Sequence, residues 1–226
     1  KMVIGLSPMR FLHRLKDRLL DIVYPPICQS CGMMGFWLCD ACLNEVEEAS
    51  LAPEVPAGID GVLSCFAYAD PKVRILTATY KYRSATAFEL AQSTLLQHWV
   101  QQHSLPIWAY DASVVLVPIL SPESRIATRG INHVLRLAQT FKRSFQLPSS
   151  ISTVLGRLEH DTHNAELEHE ERAANVRETF YLKADPPKNI ILIDDVLTTG
   201  STLAEAARVL REGGAEQVYA ITFARG

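Results

Sequence analysis

Nowhere in the chain do eighteen uncharged apolar residues run together, so no segment reads as a membrane-crossing helix. The opening stretch "KMVIGLSPMRFLHRLKDRLLDIVYPP" also lacks the long apolar centre of a secretory signal. Both gaps point away from an integral membrane protein and towards a cytoplasmic one, with Met2 as the expected natural start and no role for Lys1. A basic excess is missing as well: 22 Lys and Arg stand against 25 Asp and Glu, a formal net charge of −3. Any hold on a nucleic-acid backbone must therefore be local, not a property of the whole surface. No low-complexity tract or internal repeat interrupts the 226 residues, and a hydrophobic share of 48% argues against a mainly disordered chain. That length suits one α/β domain with a small accessory module.

What is present falls into three parts. Met9, Phe11, Leu12, Leu15, Leu19, Leu20 and Ile22 recur at helical spacing between Arg10, Arg14, Lys16 and Arg18, which predicts an amphipathic helix in residues 1–26, ended by Pro25 and Pro26. Its apolar face suits its own domain better than an anionic membrane or a partner. A cysteine-rich module follows over 27–50, and the prolines and glycines of "SLAPEVPAGIDG" mark a linker before a domain spanning 60–226. Within that domain the pattern predicts strands at 62–68, 113–117, 190–193 and 218–223, and helices at 85–100, 132–145 and 202–211, the last stopped by Gly213 and Gly214. Strand, helix and strand at this spacing form a βαβ unit, so the sheet is at least partly parallel.

"CQSCGMMGFWLCDAC" places Cys28, Cys31, Cys39 and Cys42 in two CxxC pairs. Each pair folds into a tight knuckle that aims two sulfurs at one point, and four thiolates close a structural zinc shell with no open position for catalysis. A redox dithiol, two disulfides or metal-free buried thiols are the competing readings; the first wants a single pair, the second an oxidising compartment. Cys65, in "LSCFAY", reads as a small core residue.

The run "IILIDDVLTTGST" (190–202) joins an apolar strand to adjacent carboxylates, then to hydroxyls around one glycine. Open α/β sheets bind ligands at the carboxyl ends of their strands, where Asp194 and Asp195 fall. Thr198, Thr199, Gly200, Ser201 and Thr202 lead into a helix N-terminus, whose free amides and dipole favour a phosphate. The acids beside that cradle suit ribose hydroxyls and Mg²⁺. A Walker lysine is absent after Gly200 and no GxGxxG occurs, so a phosphorylated-sugar binder is the expectation.

Those thirteen residues resemble the phosphoribosyl-pyrophosphate (PRPP) signature of type I phosphoribosyltransferases. With the CxxC pairs, "YKYRS" (80–84), "VPILSPESRIATRGINHVLRLA" (117–138) and "ERAANVRETF" (171–180), the chain is similar to the ComF family from Cys28 onward. The resemblance implies an α/β fold of the type I phosphoribosyltransferase kind, a mainly parallel sheet flanked by helices, behind a small N-terminal zinc-binding module of four cysteines. It implies that Asp194 and Asp195 contact ribose while Val196, Leu197, Thr198, Thr199, Gly200, Ser201 and Thr202 wrap the 5′-phosphate of PRPP. Two runs depart from the family: Arg129, Gly130, Ile131, Asn132, His133 stands where RGFNQ is usual, and Asp161, Thr162, His163, Asn164 where a TPxQ-like run is common. His160, His163 and His169 fit no common metal spacing and read as a hydrated loop.

Transfer from PRPP builds positive charge on the sugar and negative charge on pyrophosphate, which Mg²⁺ would neutralise. Arg129 is the first candidate to assist, with Arg125, Lys81 and Arg83 as further anion contacts. Thr198 occupies the position where some relatives carry an acidic general base. Two roles stay open: a PRPP-binding module in DNA uptake, handling incoming single-stranded DNA with the uptake machinery, or an active transferase with an unidentified acceptor. Arg136, Lys142 and Arg143 offer a basic helix face to DNA, though a solvated face is the simpler reading.

Overall fold

Nine consecutive residues, Asn189–Leu197, form the strand around which the molecule is built. Ile190, Ile191, Leu192 and Ile193 are all fully buried, which requires cover on both faces of the sheet and explains the unbroken apolar run. The computed structural model describes residues 25–50, 54–78, 85–129, 132–158 and 179–226. The expected N-terminal helix, Lys81, Arg83, the histidines at 160, 163 and 169, and most of "ERAANVRETF" lie outside the described residues.

In chain order the elements are α1 (Asp40–Asn44), β1 (Gly61–Ala67), α2 (Pro71–Ala78), α3 (Ala85–Gln102), a 3-10 turn (Ile107–Tyr110), β2 (Val115–Pro118), α4 (Glu123–Arg129), α5 (His133–Ser144), β3 (Ser150–Ile151), β4 (Leu155–Arg157), β5 (Phe180–Leu182), β6 (Asn189–Leu197), α6 (Ser201–Glu212) and β7 (Gln217–Arg225). The main sheet runs β1-β7-β6-β2-β3 with every neighbouring pair parallel; β4 and β5 form a separate antiparallel pair. The predicted parallel α/β architecture is therefore the observed one, more completely parallel than the βαβ pattern required.

One core layer lies between the sheet and α3 and α5, where Ile191 and Ile193 meet Leu95, Leu96, Leu137 and Phe141. The other lies under α6, where Ile190 and Leu192 meet Leu203, Ala206 and Leu210, together with Leu155 of β4 and Phe180 of β5. Helix α5 begins where the sequence predicts, because the Asn132 side chain accepts the Leu135 N–H at 3.2 Å and caps the first turn. Helix α6 ends at Gly213, and Gly214 takes a left-handed φ of 105°.

Two segments that read as separable in the sequence are pinned to the core. Asp60 Oδ2 accepts from Arg211 Nη2 at 2.7 Å and from the Val218 N–H at 2.8 Å, Arg211 Nε donates to the Gly58 carbonyl at 2.9 Å, and Ile59 is buried. The Pro- and Gly-rich stretch is thus a strap over its described residues. Likewise Cys28, Leu38, Cys39, Cys42 and Leu43 are continuous with the core around Phe66, Leu95 and Trp99.

Candidate functional site

Strand β6 continues two residues past the acids, so Asp194 and Asp195 belong to the strand. Ile191 and Ile193 face α5; Ile190 and Leu192 face α6. Continued by one step each, that pattern turns Asp194 towards the α6 side and Asp195 towards the α5 side. The contacts agree. Asp195 Oδ2 lies 3.3 Å from Nε2 of His133, the first residue of α5, while the cation whose field acts on Asp194 is Arg157 of β4, on the other layer.

Each carboxylate also accepts the amide that follows it: Asp195 N–H to Asp194 Oδ1 and Val196 N–H to Asp195 Oδ1, both at 2.8 Å. Burial pushes the Asp194 carboxyl well above the usual carboxylate range, and the neighbouring charge of Asp195 adds to it. The Asp195 amide and Arg157 oppose that rise without cancelling it. Two acids on opposite faces of one strand are therefore still electrically coupled, and Asp194 resists ionisation unless positive charge approaches.

Beyond Leu197 the chain turns through Thr198 and Thr199, both exposed, into Gly200, whose φ of 76° lies in the left-handed region. Gly200 is the N-cap of α6 and has no side chain to satisfy the first-turn amides. Its conformation and its surroundings both require glycine: a Cβ would come within 2.7 Å of Pro56 Cγ in the strap. Thr199 Oγ1 and Ser201 Oγ lie 3.0 Å apart, and the Ser201 N–H reaches Thr199 Oγ1 at 3.4 Å. The loop thus gathers hydroxyls and amides at the positive end of a twelve-residue helix, next to the carboxyl edge of the sheet. Val196 packs against one core layer and Leu197 is buried in the other, so these two position the loop through packing.

The remaining sequence candidates divide. Arg125 and Arg129 sit on α4, which follows β2 directly, but their side chains lie outside the described residues. Arg136 and Arg143 both turn to Glu89 of α3, at 3.0 and 2.6 Å, so two of the three cations on the basic helix face are already matched by one carboxylate. His133 and Arg157 were not singled out as site residues from the sequence. Alternation within the run 190–195 together with the capping Asn132 carried part of the signal for His133; for Arg157 only the packing of β4 beside β6 reveals it.

In the cysteine module, Gly32 and Gly35 adopt left-handed φ values of 79° and 96°, closing the turn after Cys31. One sulfur from each of Cys28, Cys31, Cys39 and Cys42 comes together within 4.8 Å of all the others, and Cys31 and Cys39 approach to 3.6 Å. A tetrahedron of metal–sulfur bonds of about 2.3 Å has sulfur–sulfur edges of about 3.8 Å, so the four are placed to hold one metal ion. Burial would raise the Cys28 thiol, but the amides of Cys31, Cys39 and Ser30 outweigh it and bring it down to about 6. Ser30 lowers Cys42, yet burial and the other three thiols drive it up to about 12, the crowding a cation would relieve.

Comparison with known proteins agrees with this geometry. Residues 149–226 match the phosphoribosyl transferase domain family. Over 114 residues, 49% of each chain, the sequence is 30% identical to competence protein F of Haemophilus influenzae. It is also 36% identical over 67 residues to ribose-phosphate pyrophosphokinase of the same organism, covering 29% of this chain and 21% of that one. A putative ribose-phosphate pyrophosphokinase 2 of Lactococcus lactis is 59% identical over 34 residues, 15% of this chain and 11% of that one. The matched stretch spans about half of competence protein F and far less of the pyrophosphokinases.

Proposed function

We propose that this chain, a ComF-like relative of competence protein F that carries a phosphoribosyl transferase domain, binds PRPP with Mg²⁺ at the β6–α6 junction and serves DNA uptake and natural transformation in the cytoplasm. The observation that carries this reading is the continuity of strand, acid pair, glycine-capped hydroxyl loop and helix N-terminus over residues 189–212. The amides and hydroxyls of Thr198 to Thr202 suit a 5′-phosphate, and Asp194 and Asp195 suit the ribose hydroxyls beside it. The same carboxylates fit Mg²⁺, because an acid held from ionising by burial and by a second acid gains most from a divalent cation; bound there, Mg²⁺ would offset charge on pyrophosphate. Arg125 and Arg129 of α4, with Lys81 and Arg83, are the proposed pyrophosphate contacts. The four cysteines are proposed to hold structural zinc, with metal analysis expected to find one zinc per chain.

The domain match favours a second reading, an active transferase moving phosphoribose to an unidentified acceptor. Thr198 supplies no general base, so that acceptor must bring its own reactivity or find a base elsewhere. Single-stranded DNA and proteins of the uptake machinery are the proposed partners under the first reading. With Arg136 and Arg143 facing Glu89, contact with DNA phosphates falls to other basic groups or requires that pairing to open.

Calorimetry with PRPP, with and without Mg²⁺, is the decisive experiment. Mg²⁺-dependent binding that is lost when Asp194 and Asp195 are both changed to Asn supports the site; unchanged affinity in the double variant defeats it. Steady pyrophosphate release with a defined acceptor would select the transferase, and thermal stabilisation without turnover the binding module.

A further inference from the structure

Resting on the reading of Asp194 and Asp195 as sugar contacts, the geometry points to His133 as a positioning residue: its imidazole Nε2 stands 3.3 Å from Asp195 Oδ2, at ion-pair distance, and so steers the direction in which that carboxylate meets the ribose. A carboxylate on a strand can rotate about its side-chain bonds, and one contact does not set its plane. Asp195 accepts the Val196 amide on Oδ1 at 2.8 Å and faces the imidazole Nε2 across 3.3 Å on Oδ2. Together these contacts bear on both oxygens and orient the carboxylate near the edge of the sheet.

The backbone that carries the imidazole is itself fixed. His133 opens α5 immediately after the capping Asn132, and its neighbours Val134 and Leu137 are each 2% exposed in the core. Its side chain is only 10% exposed and that of Asp195 only 18%, so the pair meets where water competes weakly. Burying a ring nitrogen at a helix start is costly without a partner, and the carboxylate opposite is such a partner. A separation of 3.3 Å is an ion-pair distance and not a formed charge-assisted hydrogen bond, a geometry common before a ligand draws a site together. The contact joins the first turn of α5 to β6, two elements far apart in sequence.

The experiment uses the full chain in three forms: wild type, His133→Ala and His133→Gln, the last keeping an uncharged N–H donor at similar reach. Calorimetry with Mg²⁺ and PRPP should show affinity falling about tenfold in His133→Ala and returning to within about threefold of wild type in His133→Gln. A protected imidazole N–H signal in nuclear magnetic resonance should be present in wild type and lost in Asp195→Ala. If His133→Ala does not fold, His133→Gln and the N–H signal still decide. Equal binding by wild type and His133→Ala overturns the positioning role alone. Equal weakening in both variants with unchanged melting also overturns it, since shape and not the donor would matter. A wild type that binds no PRPP defeats the ribose reading itself and this inference with it.

Discussion

Asp194 is the residue whose chemistry and stability pull in opposite directions. Its carboxyl is raised above the unfolded value of about 3.9, first by burial and then by Asp195. A raised folded value contributes stability that is complete below about pH 3.9 and lost as the pH climbs through the folded value. At neutral pH, where the unfolded carboxyl is ionised, the native state therefore bears the cost of burying Asp194 beside Asp195, and Asp194→Asn is expected to raise the melting temperature by a few degrees. That gain should shrink as the pH falls towards 4 in a series of thermal melts, while PRPP affinity drops. Gly200 makes the opposite case. Its left-handed φ and the 2.7 Å approach of Pro56 leave no room for a methyl group. Gly200→Ala should cost about 1–3 kcal/mol in urea denaturation and weaken phosphate binding as the loop shifts.

At the scale of elements, the strand ends matter more than the strands. Apolar character predicts that β6 ends at Ile193; the structure carries it to Leu197, because backbone pairing with β7 continues through Asp194, Val196 and Leu197. Ladder hydrogen bonds are indifferent to side-chain polarity, so a periodicity argument loses a strand where it meets its site. Helix α5, by contrast, was legible to within a residue, since Asn132 caps it with its own side chain. Between β1 and β7, Ser64 Oγ and Thr222 Oγ1 lie 2.8 Å apart, with Thr222 fully buried. Thr222→Val should leave the Ser64 hydroxyl without that partner and cost about 1–3 kcal/mol, measurable as a lower urea midpoint with unchanged slope.

At the scale of the whole molecule, the cysteine module and the α/β domain share one core layer among the described residues: Cys28, Cys39 and Cys42 are buried in the same cluster as Leu95, Trp99 and Phe223. Metal held by the four thiolates would therefore stabilise more than a local knuckle. Chelation is expected to lower the melting temperature of the entire chain in a single transition, followed by calorimetry, and restoring zinc should reverse it. A separate low-temperature transition for the module would show instead that the shared packing does not couple the two.

By itself the sequence determined which groups stand together locally: two CxxC pairs, an acid pair after an apolar run, and hydroxyls around one glycine at a helix start, because residue type and short spacing set what neighbouring backbone can present. It also determined the parallel α/β class, through period and punctuation. Only the tertiary structure decided which partners those groups have. His133 reaches Asp195 across 62 positions of sequence, Pro56 closes on Gly200, and Glu89 takes up Arg136 and Arg143. Such pairings depend on the register of strands and the faces of helices brought together by burial, and no local pattern carries that information.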